Sequence, residues 1–240
     1  MSAGAQLDHL VVVATTLDEG VQWCEARLGV TPGPGGRHAL MGTHNRLFSI
    51  ASAAFPLAYF EIIAIDPAAP APPRRRWFDL DDAALQARVR REGPLLAHWV
   101  ARVADAGAAV ATLRAQGIER GEVIQASRPT AQGLLQWQIT VREDGQRLYD
   151  GTLPTLIRWG AVHPAAAMPA SGVTLQALTL HHPQADALAT ACHALGLRQV
   201  TVHDGPPELQ ARLHTPRGEV LLRSRIDSNV AGATNRGRRP

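Results

Sequence analysis

The sequence predicts an α+β fold in which paired βαβββ modules form a cupped, barrel-like mixed sheet, with a third related module at the C-terminus. Three observations support this prediction. The order strand, helix, strand, strand, strand occurs three times along the 240 residues. Each predicted helix has apolar residues spaced for one buried face, and each stops at a glycine. Because such a sheet covers only one face with its own helix, two modules should close over each other.

The first module begins with an apolar, β-branched run at residues 7–14, which is typical of a buried strand. Residues 17–28 have helical spacing and end at Gly29, a suitable C-cap. The segment TPGPGG, residues 31–36, is predicted to be a loop because it consists of Thr, Pro and Gly. Three strands complete the module, at 37–43, 46–51 and 58–65.

The second and third modules repeat this order after connectors rich in Pro and Ala. A short helix is expected within 77–91. The second module has a strand at 95–103, a helix at 104–116 and strands at 121–127, 134–141 and 153–159. The third has a strand at 173–180, a helix at 185–195 and strands at 199–203, 208–214 and 219–223. We therefore expect a paired domain over 6–165, a third module over 172–225 and a disordered polar tail over 226–240.

The composition is that of an ordinary globular protein, with 45% apolar and 19% charged residues and a formal charge of +3. Its basic clusters, Arg74 to Arg76 and the C-terminal arginines, lack interleaved aromatic residues, so nucleic acid is not an expected partner. No apolar run approaches the ~20 residues that cross a bilayer, and the N-terminus lacks a signal-peptide pattern. Cys24 and Cys192 have no zinc-ligand spacing. We expect a cytoplasmic protein that binds neither nucleic acid nor membrane.

Several segments resemble the bacterial glyoxalase-like subgroup of the vicinal-oxygen-chelate superfamily. In the first module these are LDHLVVVA, GRHALMGTHNRLFSI and YFEIIAIDP, and in the second AHWVARVAD, SRPTAQGLLQWQIT and LPTLIRWGAVHPA. The resemblance covers about residues 6–165 and extends more weakly to 224. The order and spacing of DHLVV, GTHN and YFEII make it fairly specific.

The resemblance implies a U-shaped cavity and a divalent transition metal held by the first and last strands of each module. Carried over by position, the ligands would be His9, Glu61 and His98, a set that suits Fe, Mn, Zn or Ni. Arg158 occupies the fourth position, and a guanidinium cannot ligate a metal. Either a three-ligand site remains, or the metal is absent and Arg158 holds an anionic ligand or pairs with Glu61. The alternative for the histidines and Glu61 is a metal-free polar cluster in an apolar cup.

Four further residues are candidates for chemistry or binding. His44 is a candidate general base, and Asn45 beside it is a candidate substrate-binding residue, although both could simply form a turn. Arg128 follows Ser127 in a pair similar to one that recurs in the subgroup, and it could clamp a carboxylate or form a surface salt bridge. Trp137 is expected in the core or in the cavity wall.

These features predict a metal-dependent enzyme of lyase, isomerase or dioxygenase type that acts on a small oxygenated or carboxylated molecule. The alternative is a non-catalytic, metal-free protein of the same fold that binds a small molecule. A homodimer is expected, because a third module leaves a face to be covered.

Overall fold

A computed structural model describes residues 4–130 and 133–225, and this part of the chain contains four α-helices and two sheets. The predicted tail, residues 226–240, lies outside the described residues. The helices are α1 (Leu17–Leu28), α2 (Ala83–Glu92), α3 (Ala106–Arg114) and α4 (Ala185–Leu195). The strands of the first sheet are β1 (Gln6–Val13), β2 (Gly33–His38), β3 (Thr43–Ser49), β4 (Tyr59–Ile65), β5 (Leu95–Arg102), β6 (Glu122–Thr130), β7 (Gly133–Val141) and β8 (Thr155–Trp159). Those of the second are β9 (Thr174–His181), β10 (Val200–His203), β11 (Glu208–Thr215) and β12 (Gly218–Arg223).

The eight strands of the first two modules form one sheet in the order β2-β3-β4-β1-β5-β8-β7-β6. Within each module the first strand lies parallel to the fourth. The two modules are joined where β1 and β5 pair antiparallel. The outer strands β2 and β6 approach each other, so the sheet curls into a nearly closed barrel. This confirms the predicted paired-module fold.

The two faces of this sheet have separate apolar cores, because successive side chains of a strand point to opposite faces. On β1, Leu10 and Val12 belong to the outer core, which packs against the helices. Val11 and Val13 belong to the inner core, together with apolar residues of β7 and β8. The inner face therefore forms the wall of the cup.

The third module has the predicted element order but a different arrangement of strands. Its sheet runs β10-β9-β11-β12, with β9 parallel to its immediate successor β10. Its buried leucines, among them Leu178 and Leu213, join the outer core of the larger sheet.

The second strand lies earlier in the chain than the sequence suggested. It includes most of the predicted loop 31–36, and a turn follows before Thr43. Its glycines explain this, because a Cβ at Gly35 would clash with the backbone oxygen of Asn45 on β3. Among the helices of the described chain, none is long and apolar enough to cross a bilayer.

Candidate functional site

A cavity of about 30 Å³ lies inside the cup, between the two modules. A volume of this size has room for roughly one or two water molecules. Most of its wall is apolar or aromatic. The polar and titratable side chains that line it are His9, His38, Asn45, Tyr59, Glu61 and Arg128. Trp137 also lines it.

A β-bulge in β1 sets the position of His9. Leu7 pairs with Ala101 and His9 with Val100, so Asp8 is an extra residue in the ladder. The Asp8 and His9 side chains therefore meet, with His9 Nδ1 2.7 Å from Asp8 Oδ1. Asp8 is fully buried, and this carboxylate fixes the orientation of the imidazole.

The other ring nitrogen of His9 faces Glu61 on β4. His9 Nε2 lies 3.5 Å from Glu61 Oε2, and Asn45 Nδ2 donates to Glu61 Oε1 at 2.6 Å. Asn45 Oδ1 accepts from the backbone N–H of Gly36 at 2.8 Å. The predicted residues His9, Asn45 and Glu61 thus form one continuous polar chain.

Two of these hydrogen-bonded side chains, His9 and Glu61, carry opposite charges at neutral pH. Burial alone would lower the pKa of His9, but its bonds to Asp8 and Glu61 raise the pKa to about 9. Burial opposes ionisation of Glu61, yet the hydrogen bond and charge of His9 hold the pKa of Glu61 below its ordinary value. The site therefore presents an imidazolium beside a carboxylate.

Two residues that sequence reasoning missed anchor the far side of Asp8. Its Oδ2 accepts from Trp159 Nε1 at 3.0 Å and from His163 Nε2 at 2.9 Å. His163 Nδ1 in turn accepts the backbone N–H of Ala165, which leaves Nε2 as the donor. These donors, with His9, hold the pKa of Asp8 far below its ordinary value despite the opposing effect of burial. A buried Asp in an apolar strand needs such partners, and that was the available signal.

His38 on β2 is a further residue that lines the cavity. Its Nε2 lies 3.3 Å from Asn45 Nδ2, and its Nδ1 lies 3.0 Å from Thr43 Oγ1. Burial lowers the pKa of His38 to about 4, so this imidazole is neutral at pH 7.

Arg128 reaches the cavity from β6, across the gap between the outer strands. Its Nη1 lies 3.5 Å from Asn45 Oδ1. A Cβ at Gly36 would lie 2.8 Å from Arg128 Cζ, so the guanidinium fits against β2 only because residue 36 is glycine. No carboxylate of the described residues forms an ion pair with it. A half-buried cation without an acidic partner is a candidate anion-binding group.

His98 is placed differently from the other two predicted metal ligands. It is fully buried, and its Nδ1 lies 2.9 Å from the carbonyl oxygen of Gly151. Its Nε2 accepts the backbone N–H of Thr155 at 3.2 Å. Burial, with the nearby Arg120 and Arg147, holds the pKa of His98 well below its ordinary value. His98 is a neutral core residue with both nitrogens engaged.

His44 and Arg158 lie outside the cup, contrary to the sequence-based expectation. His44 alternates with Asn45 on β3 and is near Asp66 rather than the cavity. Arg158 is exposed and donates from Nε to the Ala104 carbonyl at 3.0 Å. In each case the neighbouring residue faces inward, because adjacent strand residues point to opposite faces. Trp159, not Arg158, lines the cavity.

The side chains do not fit the three-ligand metal site that the resemblance implies. A coordinating imidazole needs a free ring nitrogen, and both nitrogens of His98 are bonded within the protein. Across residues 4–130 and 133–225, no three His, Cys, Asp or Glu side chains form a group that could hold a metal ion. Of the three ligands that the resemblance implies, His9 and Glu61 line the cavity and His98 does not.

Comparisons with known proteins agree with this architecture. A family model described as a glyoxalase-like domain matches residues 7–196. A hypothetical protein from Staphylococcus aureus shares 14% identity over 91% of this chain and 85% of its own, with a TM-score of 0.56. A variant of the Streptomyces coelicolor methylmalonyl-CoA epimerase, solved in complex with 2-nitronate-propionyl-CoA, shares 16% identity over 68% of this chain and 99% of its own, with a TM-score of 0.41. No curated protein matches the sequence significantly.

Proposed function

Because the chain belongs to the glyoxalase-like domain family, we propose that it binds a small carboxylate in the cup and moves a proton at the carbon next to a carbonyl of that molecule. The observation that carries this proposal is the guanidinium of Arg128, which has no carboxylate partner within residues 4–130 and 133–225 and lies at the same cavity as the His9–Glu61 pair. A planar guanidinium is suited to bind a carboxylate with two parallel hydrogen bonds.

The charges at the cavity suit enolisation, the chemistry of isomerases and some lyases. Glu61 is ionised and takes the proton from carbon, and the electron pair of the C–H bond moves into the new C=C bond. The carbonyl oxygen gains negative charge, which the imidazolium of His9 stabilises when its Nε2–H turns from Glu61 to that oxygen. Reversal of these steps from another position or face gives an isomerised product. Asp8 acts through His9, because it fixes the ring and favours its charged form.

The rival function is binding without catalysis. The observation in its favour is that His9 and Glu61 already neutralise each other in a cavity of about 30 Å³. Even a three-carbon acid needs more space than this, so the wall must move in either case. The predicted cytoplasmic location and homodimer stay predictions.

The experiment uses sodium pyruvate as the probe. Calorimetric titration should give an affinity that Arg128→Gln weakens about thirtyfold, the scale of a lost charge-assisted bond. The matched control is Arg158→Gln, which removes an exposed Arg outside the cup and should change the affinity less than about twofold. Equal effects of the two variants would contradict the binding proposal.

Catalysis is tested by deuterium incorporation into the pyruvate methyl group in D₂O, followed by proton NMR. The wild-type protein should accelerate exchange, and Glu61→Gln should reduce this acceleration by about a hundredfold or more. Binding of pyruvate with no acceleration of exchange would favour the non-catalytic function.

A further inference from the structure

We infer that the indole N–H of Trp77 is a ligand-binding donor and that the natural ligand therefore carries an oxygen on the carbon next to its carboxylate. This inference rests on the proposed function, in which Arg128 holds the carboxylate. It adds a residue that determines specificity and narrows the ligand to short 2-oxo or 2-hydroxy acids.

Trp77 lies in the connector between the modules and lines the cavity with 6% of its surface exposed. Its Nε1 is inaccessible to solvent and has no hydrogen-bond partner in the described part of the chain. Two other tryptophans donate normally, Trp99 to the carbonyl of Thr152 at 2.8 Å and Trp159 to Asp8 at 3.0 Å. A buried donor without an acceptor is unfavourable and uncommon, and an acceptor on a ligand in the cavity would satisfy it.

Trp77 and Arg128 flank the same pair of polar side chains. The indole ring of Trp77 packs edge to face with His38, with ring centroids 5.1 Å apart. His38 contacts Asn45 through Nε2, and Asn45 Oδ1 lies 3.5 Å from Arg128 Nη1. The indole N–H of Trp77 and the guanidinium of Arg128, at the two ends of this series of contacts, are both hydrogen-bond donors. In the proposed function Arg128 binds both carboxylate oxygens, so a ligand that also satisfies Trp77 must offer a further acceptor. An oxygen on the carbon next to the carboxylate is such an acceptor.

The backbone that presents Trp77 is held in an unfavourable conformation. Phe78 and Asp79 both have left-handed φ values, 59° and 58°, which non-glycine residues rarely adopt. Such residues persist where their surroundings fix them, and they concentrate at functional sites. Asp79 Oδ2 accepts from Arg147 Nε at 2.8 Å, and Phe78 stacks on the indole of Trp77. An ion pair to the second module thus helps hold the donor at the cavity.

The experiment compares sodium pyruvate with sodium propionate, which has the same number of carbons and the same charge but lacks the second oxygen. Trp77→Phe should weaken pyruvate binding about tenfold and propionate binding less than about twofold. The matched control is Trp137→Phe, because Trp137 also lines the cavity and is also 6% exposed. It should change both affinities by the same factor.

A Trp77→Phe variant that weakens both ligands equally, or neither, overturns the inference. Continued sensitivity of pyruvate binding to Arg128→Gln would still support the proposed function in that case. Wild-type protein that binds neither ligand overturns both. A second measurement does not depend on the folding of the variant: in ¹⁵N-labelled wild-type protein, pyruvate but not propionate should shift the Trp77 indole N–H resonance downfield. An unmoved resonance at saturating pyruvate also overturns the inference.

Discussion

Asp8 and His9 are consecutive residues of β1, and their side chains are hydrogen-bonded to each other at 2.7 Å. In a regular strand they would point to opposite faces of the sheet. The bulge at Asp8 removes this restriction. The result is an imidazole held between two buried carboxylates, Asp8 and Glu61, with a pKa raised to about 9.

The protonation of His9 predicts how stability depends on pH. The pKa of His9 is raised from 6.5 to about 9 in the folded protein, so between these values only the folded state retains the proton. The free energy of unfolding should therefore fall, by on the order of 1 kcal/mol per pH unit, as the pH rises through this window. As the pH decreases below 6.5, the free energy of unfolding should also decrease. His38 and His98 bind protons in the unfolded chain, whereas their lowered pKa values keep them neutral in the folded protein. Urea unfolding at a series of pH values measures both limbs.

The control for this prediction is a pair of Asp-to-Asn variants. Asp8→Asn removes a partner of His9 and should reduce the decrease in unfolding free energy between pH 6.5 and about 9. Asp204→Asn, at an exposed loop position, should leave that decrease unchanged. An alkaline slope identical in wild type and Asp8→Asn would contradict the assignment of the proton to His9.

Adjacent glycines of β2 should respond differently to alanine. A Cβ at Gly36 would meet the end of the flexible Arg128 side chain, so Gly36→Ala should displace the guanidinium. We expect pyruvate affinity to fall about tenfold with a change in unfolding free energy below about 0.5 kcal/mol. A Cβ at Gly35 would meet the backbone of Asn45, so Gly35→Ala should destabilise the protein by about 1–3 kcal/mol. Calorimetric titration and urea unfolding separate the two effects, and the reverse pattern would refute this account.

His98 should matter for stability and not for binding. His98→Gln leaves the buried Gly151 carbonyl and the Thr155 N–H without their partner, which should lower the free energy of unfolding by about 2–3 kcal/mol. Pyruvate affinity, measured well below the unfolding temperature, should stay within about twofold. The control is His193→Gln, at an exposed position of α4. Loss of pyruvate binding in a folded His98→Gln protein would contradict this prediction and indicate that His98 takes part in binding.

Metal content is the remaining prediction. With both nitrogens of His98 engaged, we expect purified protein to contain fewer than about 0.1 transition-metal ions per chain by elemental analysis. Dialysis against EDTA should leave pyruvate affinity unchanged. About one ion per chain, lost in both His9→Gln and Glu61→Gln, would instead support the metal site implied by the family resemblance.

The sequence was most informative where burial and polarity conflict. Glu61 lies within an apolar strand pattern, and a buried carboxylate in such a pattern needs a partner. The family resemblance selected His9 and His98 by position, and position alone could not distinguish a cavity residue from one satisfied in the core. That distinction depends on Gly151 and Thr155, which are distant in sequence.

The positions of Arg158 and His44 outside the cup have one cause. The side-chain period of a strand is two, so an error of one residue in register reverses the face. The bulge at Asp8 leaves no mark in the hydrophobic pattern, so its meeting with His9 could not be predicted. Trp77 was missed because it lies in a connector, where strand periodicity gives no information.

The facing edges of β2 and β6, which have no strand pairing between them in the described residues, are where we expect the cup to widen. These strands end the eight-stranded sheet and face each other without a ladder in the described residues, and the contact between Arg128 and Gly36 bridges them. Spreading this seam would break no strand pairing of the described residues. Arg128, the residue proposed to bind the anion, then also bridges the two strands at this seam.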